Sequence, residues 1–263
     1  MSDIKLGQII QTKLKSFYKK YYLNTLKLND WENRFEQFRI NEEIKIGKKF
    51  FDETKLKSES LENKKILIVG AGTGAEAFYL AQLSNSHITL LEPDPEAIEI
   101  LNLKVNYFHL KNVQITEAFA EDMPFPNEQF DIILCYTVLE HVNDYQKSID
   151  EMYRCTNKLG QIILFLPNYA YPEEPHYKIT TFPPAYFPIL VRTHLKIKKR
   201  YTPFFETLNF LTSKKLKSFL RKRNMSFSQL KVLPKFGEVN FLIFIYSNLF
   251  GIVRNQKYFI QKN

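Results

Sequence analysis

The residues best suited to chemistry in this chain of 263 residues fall in a few short segments. The first is Gly70-Ala71-Gly72-Thr73-Gly74, three alternate glycines set directly after the apolar run Ile66-Leu67-Ile68-Val69. Glycines there let the backbone turn sharply and approach a ligand closely, while the N–H groups of a helix start face an anion. The second is Glu92, 18 residues beyond Gly74 and at the end of an apolar stretch. A carboxylate at a strand end can accept hydrogen bonds from both hydroxyls of a ribose. Together these two features fit a nucleoside-containing cofactor, without distinguishing one such cofactor from another. The third set is histidine. His141 lies in Leu139-Glu140-His141-Val142, and His176 lies in the segment NYAYPEEPHYKITTFPP with Glu173 and Glu174. An imidazole beside a carboxylate in a loop can move a proton near neutral pH. His87 and His109 fall at the ends of elements and read as structural or exposed. No grouping along the chain has metal-ligand spacing, so no metal is expected.

These groups need elements to position them. The run at 66–69 reads as a buried parallel strand, followed by a helix over 76–83, a strand at 87–91 and a helix over 95–107. Short apolar strands follow at 113–116 and 130–136. A helix over 145–156, stopped near Gly160, leads to a fifth strand at 161–166 that Pro167 closes. Strands alternating with helices predict an open α/β sheet with helices on both faces, whose ligands bind at the carboxyl ends of the strands. Residues 1–60 show helical spacing around Trp31, Phe35 and Phe38 and read as helices packed on this body.

Residues 118–142, AFAEDMPFPNEQFDIILCYTVLEHV, closely resemble the class I S-adenosylmethionine (SAM)-dependent methyltransferases, in particular the small-molecule methyltransferase domain of the quinone-biosynthesis type. The resemblance runs back through the glycine loop and Glu92 and forward to Leu159-Gly160 and the fifth strand, covering roughly residues 64–168. It implies a Rossmann-like, seven-stranded, mostly parallel sheet with an antiparallel last strand. It also implies that Gly70, Ala71, Gly72 and Gly74 cradle the methionine moiety of SAM and that Glu92 holds the ribose. Asp122 would accept from the adenine amino group, with Glu121 and Met123 completing the adenine wall. Cys135 and Tyr136 would line the methionine end. Asp131 is expected to order a strand edge. One position departs from the pattern: Ile68 stands where the family has an acidic residue that helps orient the cofactor.

Composition sets the outer bounds. The chain is 44% hydrophobic and 25% charged, with two cysteines, Cys135 and Cys155, which excludes a disulfide framework, disorder and coiled coil. The start, MSDIKLGQII, has no apolar core of a signal peptide, and no run reaches the roughly 20 apolar residues that span a bilayer. A cytoplasmic protein, able to attach to a membrane surface, is expected. The net charge of +9 is unevenly placed: residues 1–60 hold 13 Lys/Arg against 9 Asp/Glu, residues 61–184 hold 8 against 17, and residues 185–263 hold 16 against 2. The basic last third points to an anionic partner. Within it, 213–224 reads as a basic helix, 226–233 as a strand and 257–261 as the last strand. The apolar segment 239–253, drawn as a helix, carries Asn240, Ser247, Gly251 and Arg254 on one narrow stripe. It fits either a helix buried over the sheet or one lying on an anionic membrane beside Lys235, Arg254 and Lys257.

Three regions result: helices over 1–60, a cofactor core over 61–168, and a substrate-side elaboration over 169–263. The expected activity is methyl transfer from SAM, chiefly O-methylation, to a small-molecule or glycan acceptor, including lipid-linked or phosphorylated ones, with His141 or His176 as base. RNA methylation is less favoured, because no aromatic-basic nucleic-acid motif is present. Adenine amino-group methylation lacks its Asn/Asp-Pro-Pro-aromatic motif, and cytosine C5 methylation lacks a Pro-Cys context. A non-catalytic SAM-binding protein is the reading that Ile68 keeps open.

Overall fold

The computed structural model describes residues 3–40, 42–54, 56–181 and 187–262. The end of the loop predicted over 168–184 therefore lies outside the described residues. The first strands form around short apolar runs, weakest in β3: β1 (Lys65–Val69), β2 (His87–Glu92), β3 (Val113–Glu117), β4 (Phe130–Tyr136) and β5 (Thr156–Pro167). The minor pair β6 (Glu173–Glu174) and β7 (Ile179–Thr180) follows, then β8 (Ser226–Leu230) and β9 (Asn255–Gln261). Seven strands make one sheet in the order β3-β2-β1-β4-β5-β9-β8. The first five run parallel, and β9 is antiparallel to both β5 and β8. The strand order reverses between β1 and β4, which opens a crevice at their carboxyl ends.

Alternation along each strand decides which helix covers which face. Ile66, Ile68, Leu90, Leu134 and Phe165 pack on one side with Phe50 and Phe51 of α3 (Glu43–Thr54), Phe78 and Leu80 of α4 (Ala75–Leu83), and Leu101 of α5 (Pro95–Tyr107). Leu67, Val69, Ile133, Cys135 and Leu164 pack on the other with Ile149 and Met152 of α6 (Tyr145–Cys155) and Leu216 and Phe219 of α8 (Ser213–Lys222). Each of α5 and α6 begins at an aspartate whose side chain accepts from two N–H groups of the first turn, Asp94 and Asp144. The N-terminal helices α1 (Asp3–Lys19) and α2 (Trp31–Phe35) close a smaller core on α5, with Ile10, Leu14, Trp31, Phe35 and Ile100. The remaining helices, α7 (Pro188–Ile197) and α9 (Phe241–Phe250), belong to the basic last third.

Two boundaries differ from the sequence expectation. α6 ends at Cys155, and Gly160 lies inside β5 rather than stopping the helix. The register between β4 and β5 shifts where Phe130 pairs with Thr156 and Ile132 with Gln161, so the extra residues around Gly160 bulge within an extended strand. Asp131 ties this edge, accepting from the Lys65 N–H at 2.9 Å and the Asn157 side-chain amide at 2.9 Å.

Candidate active site

The glycine segment leaves β1 and turns into α4 at the crevice. The N–H groups of Gly70 and Ala71 both donate to the Leu91 carbonyl, at 2.8 and 3.1 Å, so the loop folds back over the end of β2. Gly70 has φ +66°, and a Cβ there would lie 2.4 Å from Val138. Gly72 has φ +53° with open space where a Cβ would stand, leaving its backbone bare toward the crevice. Its N–H donates to Glu92 Oε2 at 2.7 Å, while Glu92 Oε1 accepts from the Asp94 N–H at 3.0 Å. Burial pushes the Glu92 carboxyl up, and these backbone bonds oppose it.

Helices outside the sheet pin the same loop. Lys104 of α5 donates to the Thr73 carbonyl and to Glu43 Oε2 of α3, both at 2.6 Å, and its ammonium is fully buried. The Tyr18 hydroxyl of α1 lies 2.8 Å from Thr73 Oγ1. Ile68 packs in the core beneath the loop, and the carboxylates reaching the cavity come from Glu76, Glu92 and Asp94.

Three cavities meet at the crevice. One of about 280 Å³ runs between Gly70, Glu92 and the segment Ala118–Glu121. A second, about 670 Å³, extends from the glycine loop to Tyr18, Tyr21 and Phe38 on the N-terminal side and to Tyr136 and Phe204 on the other. A third, about 270 Å³, is walled by Tyr21, Glu140, Pro175 and His176. Thr137 and His141 line all three. Thr137 sits at φ +52°, a left-handed conformation uncommon for a β-branched residue, immediately after β4.

At this junction the fold assembles a polar quartet. His176 Nδ1 lies 2.8 Å from Glu174 Oε1, and His176 Nε2 lies 3.3 Å from His141 Nε2. Glu174 is completely buried and its other oxygen accepts the Tyr177 N–H at 2.7 Å. Glu140 is buried beside His141, with Oε2 lacking a hydrogen-bond partner. Burial lowers the His141 imidazole, and the neighbouring His176 lowers it further. Burial also works against a charge on His176, but the Glu174 hydrogen bond and charge, joined by Glu140, raise it above the ordinary imidazole value. Burial pushes Glu140 up to about 7 against the pull of His176. Such a group can pass a proton along the paired imidazoles. Among the described residues, Glu140, His141 and His176 also bring one donor atom each within 4.8 Å of one another, a set able to hold a cation. The cluster is not legible along the chain, because 35 residues separate the two histidines.

The other predicted residues fall in different places. Gly70, Ala71, Gly72, Gly74, Glu92 and Tyr136 line the largest of the three cavities. Tyr136 is held there by stacking on Phe165 at 4.3 Å and by the edge of Phe50. Glu121 lines the smaller cavity at Glu92; one oxygen accepts from the Asn143 and Asp144 N–H groups, and the other is buried without a partner. Asp122 is exposed outside these cavities, in a turn where its N–H donates to the Phe119 carbonyl at 3.1 Å. Met123 is a core residue whose N–H donates to Glu151 and whose carbonyl accepts from Arg154. Cys135 is likewise in the core, and burial raises its thiol. Of residues 121–123 only Glu121 lines this cavity, beside Ala118, Phe119 and Ala120, with Phe119 60% exposed.

The methyltransferase domain family matches residues 67–164. The chain is 35% identical over 136 residues to the ubiquinone biosynthesis O-methyltransferase of Pseudomonas putida (strain GB-1), covering 50% of this chain and 55% of that protein. It is 29% identical over 118 residues to the uncharacterized methyltransferase YcgJ of Bacillus subtilis, covering 45% and 46% respectively. It thus spans about half the length of these curated relatives. The fold is shared with the crystal structure of a SAM-dependent methyltransferase from Aquifex aeolicus, at 14% identity and a TM-score of 0.55, over 96% of this chain and 98% of that one.

Proposed function

We propose that this chain, whose residues 67–164 form a class I methyltransferase domain with SAM as its cofactor, methylates a hydroxyl of a small-molecule acceptor, with His141 as the entry point for the proton. The observation that carries this reading is the position of His141, which opens onto the cofactor-side cavities and is backed by His176 and Glu174. The glycine loop would hold the methionine end, Glu92 the ribose hydroxyls, and the Phe119 ring the face of the adenine. Bound SAM supplies an electrophilic methyl on sulfonium. The protein's own part is to exclude water, align the acceptor oxygen and accept its proton. With the methyl's former sulfur leaving as the neutral thioether, the acceptor proton would move to Nδ1 of a neutral His141. The proton on His141 Nε2 passes to His176 Nε2, where Glu174 and Glu140 balance the charge.

The large cavity is walled by Phe17, Tyr18, Phe38, Phe50 and Phe204, which favours a flat aromatic acceptor such as a phenol or quinol over a glycan. The relative named for O-methyl transfer in ubiquinone biosynthesis supports the same choice of atom. The test uses methyl-labelled SAM and a panel of phenols and sugars. Label is expected in the phenolic ether, and His141→Ala should lower turnover by roughly 10²–10⁴-fold with cofactor binding intact. Unchanged turnover in His141→Ala removes it as base. Loss of wild-type turnover to a chelator, with restoration by a divalent ion, would assign the imidazole cluster to metal binding instead.

A further inference from the structure

The segment Phe241–Phe250 folds as a helix turned inside out. Ser247 is completely buried and Ile243 nearly so, while Phe241, Leu242, Ile245, Leu249 and Phe250 are between 42% and 72% exposed. In a helix covering a protein core the apolar face turns inward. Here the body receives only Ile243 and Ser247, and most of the apolar surface is left facing out. The connection leading into the helix extends the patch: Val232 and Phe236 are exposed, and the Phe236 ring sits 5.5 Å from that of Phe244. The side-chain amide of Asn248 donates to the Pro234 carbonyl, and the Tyr246 hydroxyl to the Ala170 carbonyl, so the helix is fastened to the structure in this orientation.

Directly beside it lies a cavity of about 820 Å³ whose walls include Tyr246 and Phe250 of α9 and the basic side chains of Lys214, Lys217, Arg221 and Lys231. Among the described residues no acidic side chain lines it. None of these four cations forms a salt bridge among the described residues, whereas Arg192, Arg223 and Arg254 elsewhere in the basic third are each paired with a carboxylate. The half-buried Lys217 ammonium is lowered by burial and by the positive charges of Lys231 and Arg221, a repulsion that an anion in the cavity would relieve. An apolar ledge and an uncompensated cationic cavity are thus continuous through Tyr246 and Phe250.

We propose that α9 and this cavity form a docking surface for an anionic phospholipid bilayer, the exposed apolar side chains entering the interface and the cavity receiving lipid phosphate. Charge complementarity and the outward apolar face both fit this occupant. A nucleic acid would use the cations but has no use for five exposed aliphatic and aromatic side chains on one helix. The basic cavity is lined by Ala170, whereas His176 lines the inner cavity.

The test is co-sedimentation of the full chain with phosphatidylcholine vesicles and with phosphatidylcholine–phosphatidylglycerol vesicles, at low and high salt. Stronger binding to the anionic vesicles, reduced by salt, is expected. Lys214→Glu with Arg221→Glu should weaken it by at least roughly thirtyfold, at about 1 kcal/mol for each basic residue lost near the surface. Leu242→Gln with Leu249→Gln should weaken it about tenfold or more. Both pairs are on the surface, and retained S-adenosylhomocysteine binding confirms that each variant is folded. Equal binding to both vesicle types, or no effect of the leucine pair, overturns the proposal. So does binding of a single-stranded RNA oligomer that is tighter than vesicle binding and indifferent to the leucine pair, which would mark a nucleic-acid surface.

Discussion

His141 and Glu140 are adjacent in the chain, yet burial acts on them in opposite senses, lowering the imidazole and raising the carboxyl. His176 and Glu174 arrive from a separate loop, so the quartet titrates as a unit. If the unprotonated imidazole pair is the working form, kcat/KM rises with pH along an acid limb governed by that pair. Glu174 favours the protonated pair, so Glu174→Gln should move the limb to lower pH and reduce turnover, as a pH–rate profile would show. Glu140 makes a second, separable prediction. Its carboxyl, ordinarily near 4.5, is pushed up to about 7, so between those values the folded protein holds a proton that the unfolded chain releases. The stability present below the unfolded value is therefore lost as pH rises through this window. Glu140→Gln should flatten the change in Tm between pH 5 and pH 8. Individual residues were unequally legible in sequence. The glycines and Glu92 were readable because local chain order alone places them at strand ends. Asp122 was not, because whether an acidic residue beside Pro124 points into a cleft or caps a turn depends on tertiary packing. Thr137 gave no signal: its left-handed backbone is a property of the strand's exit, not of its type.

At the scale of elements, the alternation of apolar strands and helices made the parallel sheet readable from residue 65 onward, since a strand buried on both faces must be apolar throughout. What the pattern does not contain is how the N-terminal helices reach the cofactor loop. Lys104 lies on a face of α5 that is otherwise apolar, with Ala97, Ile100 and Leu101. It is buried because Glu43 of α3 and the Thr73 carbonyl meet it there. Lys104→Met leaves the Glu43 carboxyl buried without its cation and should cost about 3–5 kcal/mol. Adding Glu43→Leu should recover most of that loss, because two buried charges are then removed together. Denaturant unfolding of the two single variants and the double variant measures both steps. The single Lys104 variant should also bind cofactor more weakly, since Thr73 loses its anchor. The early ending of α6 has the same lesson: Gly160 reads as a helix stop in sequence, but pairing with β4 and β9 draws the residues from Thr156 onward into the sheet.

Across the whole molecule, charge separates the working parts. Residues 61–184 carry the acidic excess and contain the loop, Glu92 and the carboxylates around the cofactor cavity, a setting suited to a sulfonium cation. Residues 185–263 carry the basic excess, and Lys214, Lys217, Arg221 and Lys231, without an ion pair among the described residues, gather at one cavity next to α9. Sequence supplied the apolar segment 239–253 and its polar stripe, but not which side of the helix the body would take. Among the described residues no helix is long and apolar enough to cross a membrane, so the exposed face of α9 has to be understood as a surface feature. Everything proposed for the chemistry depends on the crevice between β1 and β4 holding SAM. Calorimetric titration of the full chain with S-adenosylhomocysteine tests this most directly. One saturable site is predicted, with affinity roughly 10–150-fold weaker in Glu92→Ala, the loss expected for hydrogen bonds to a charged group. No saturable binding by the folded wild-type chain, or equal affinity in Glu92→Ala, would contradict it.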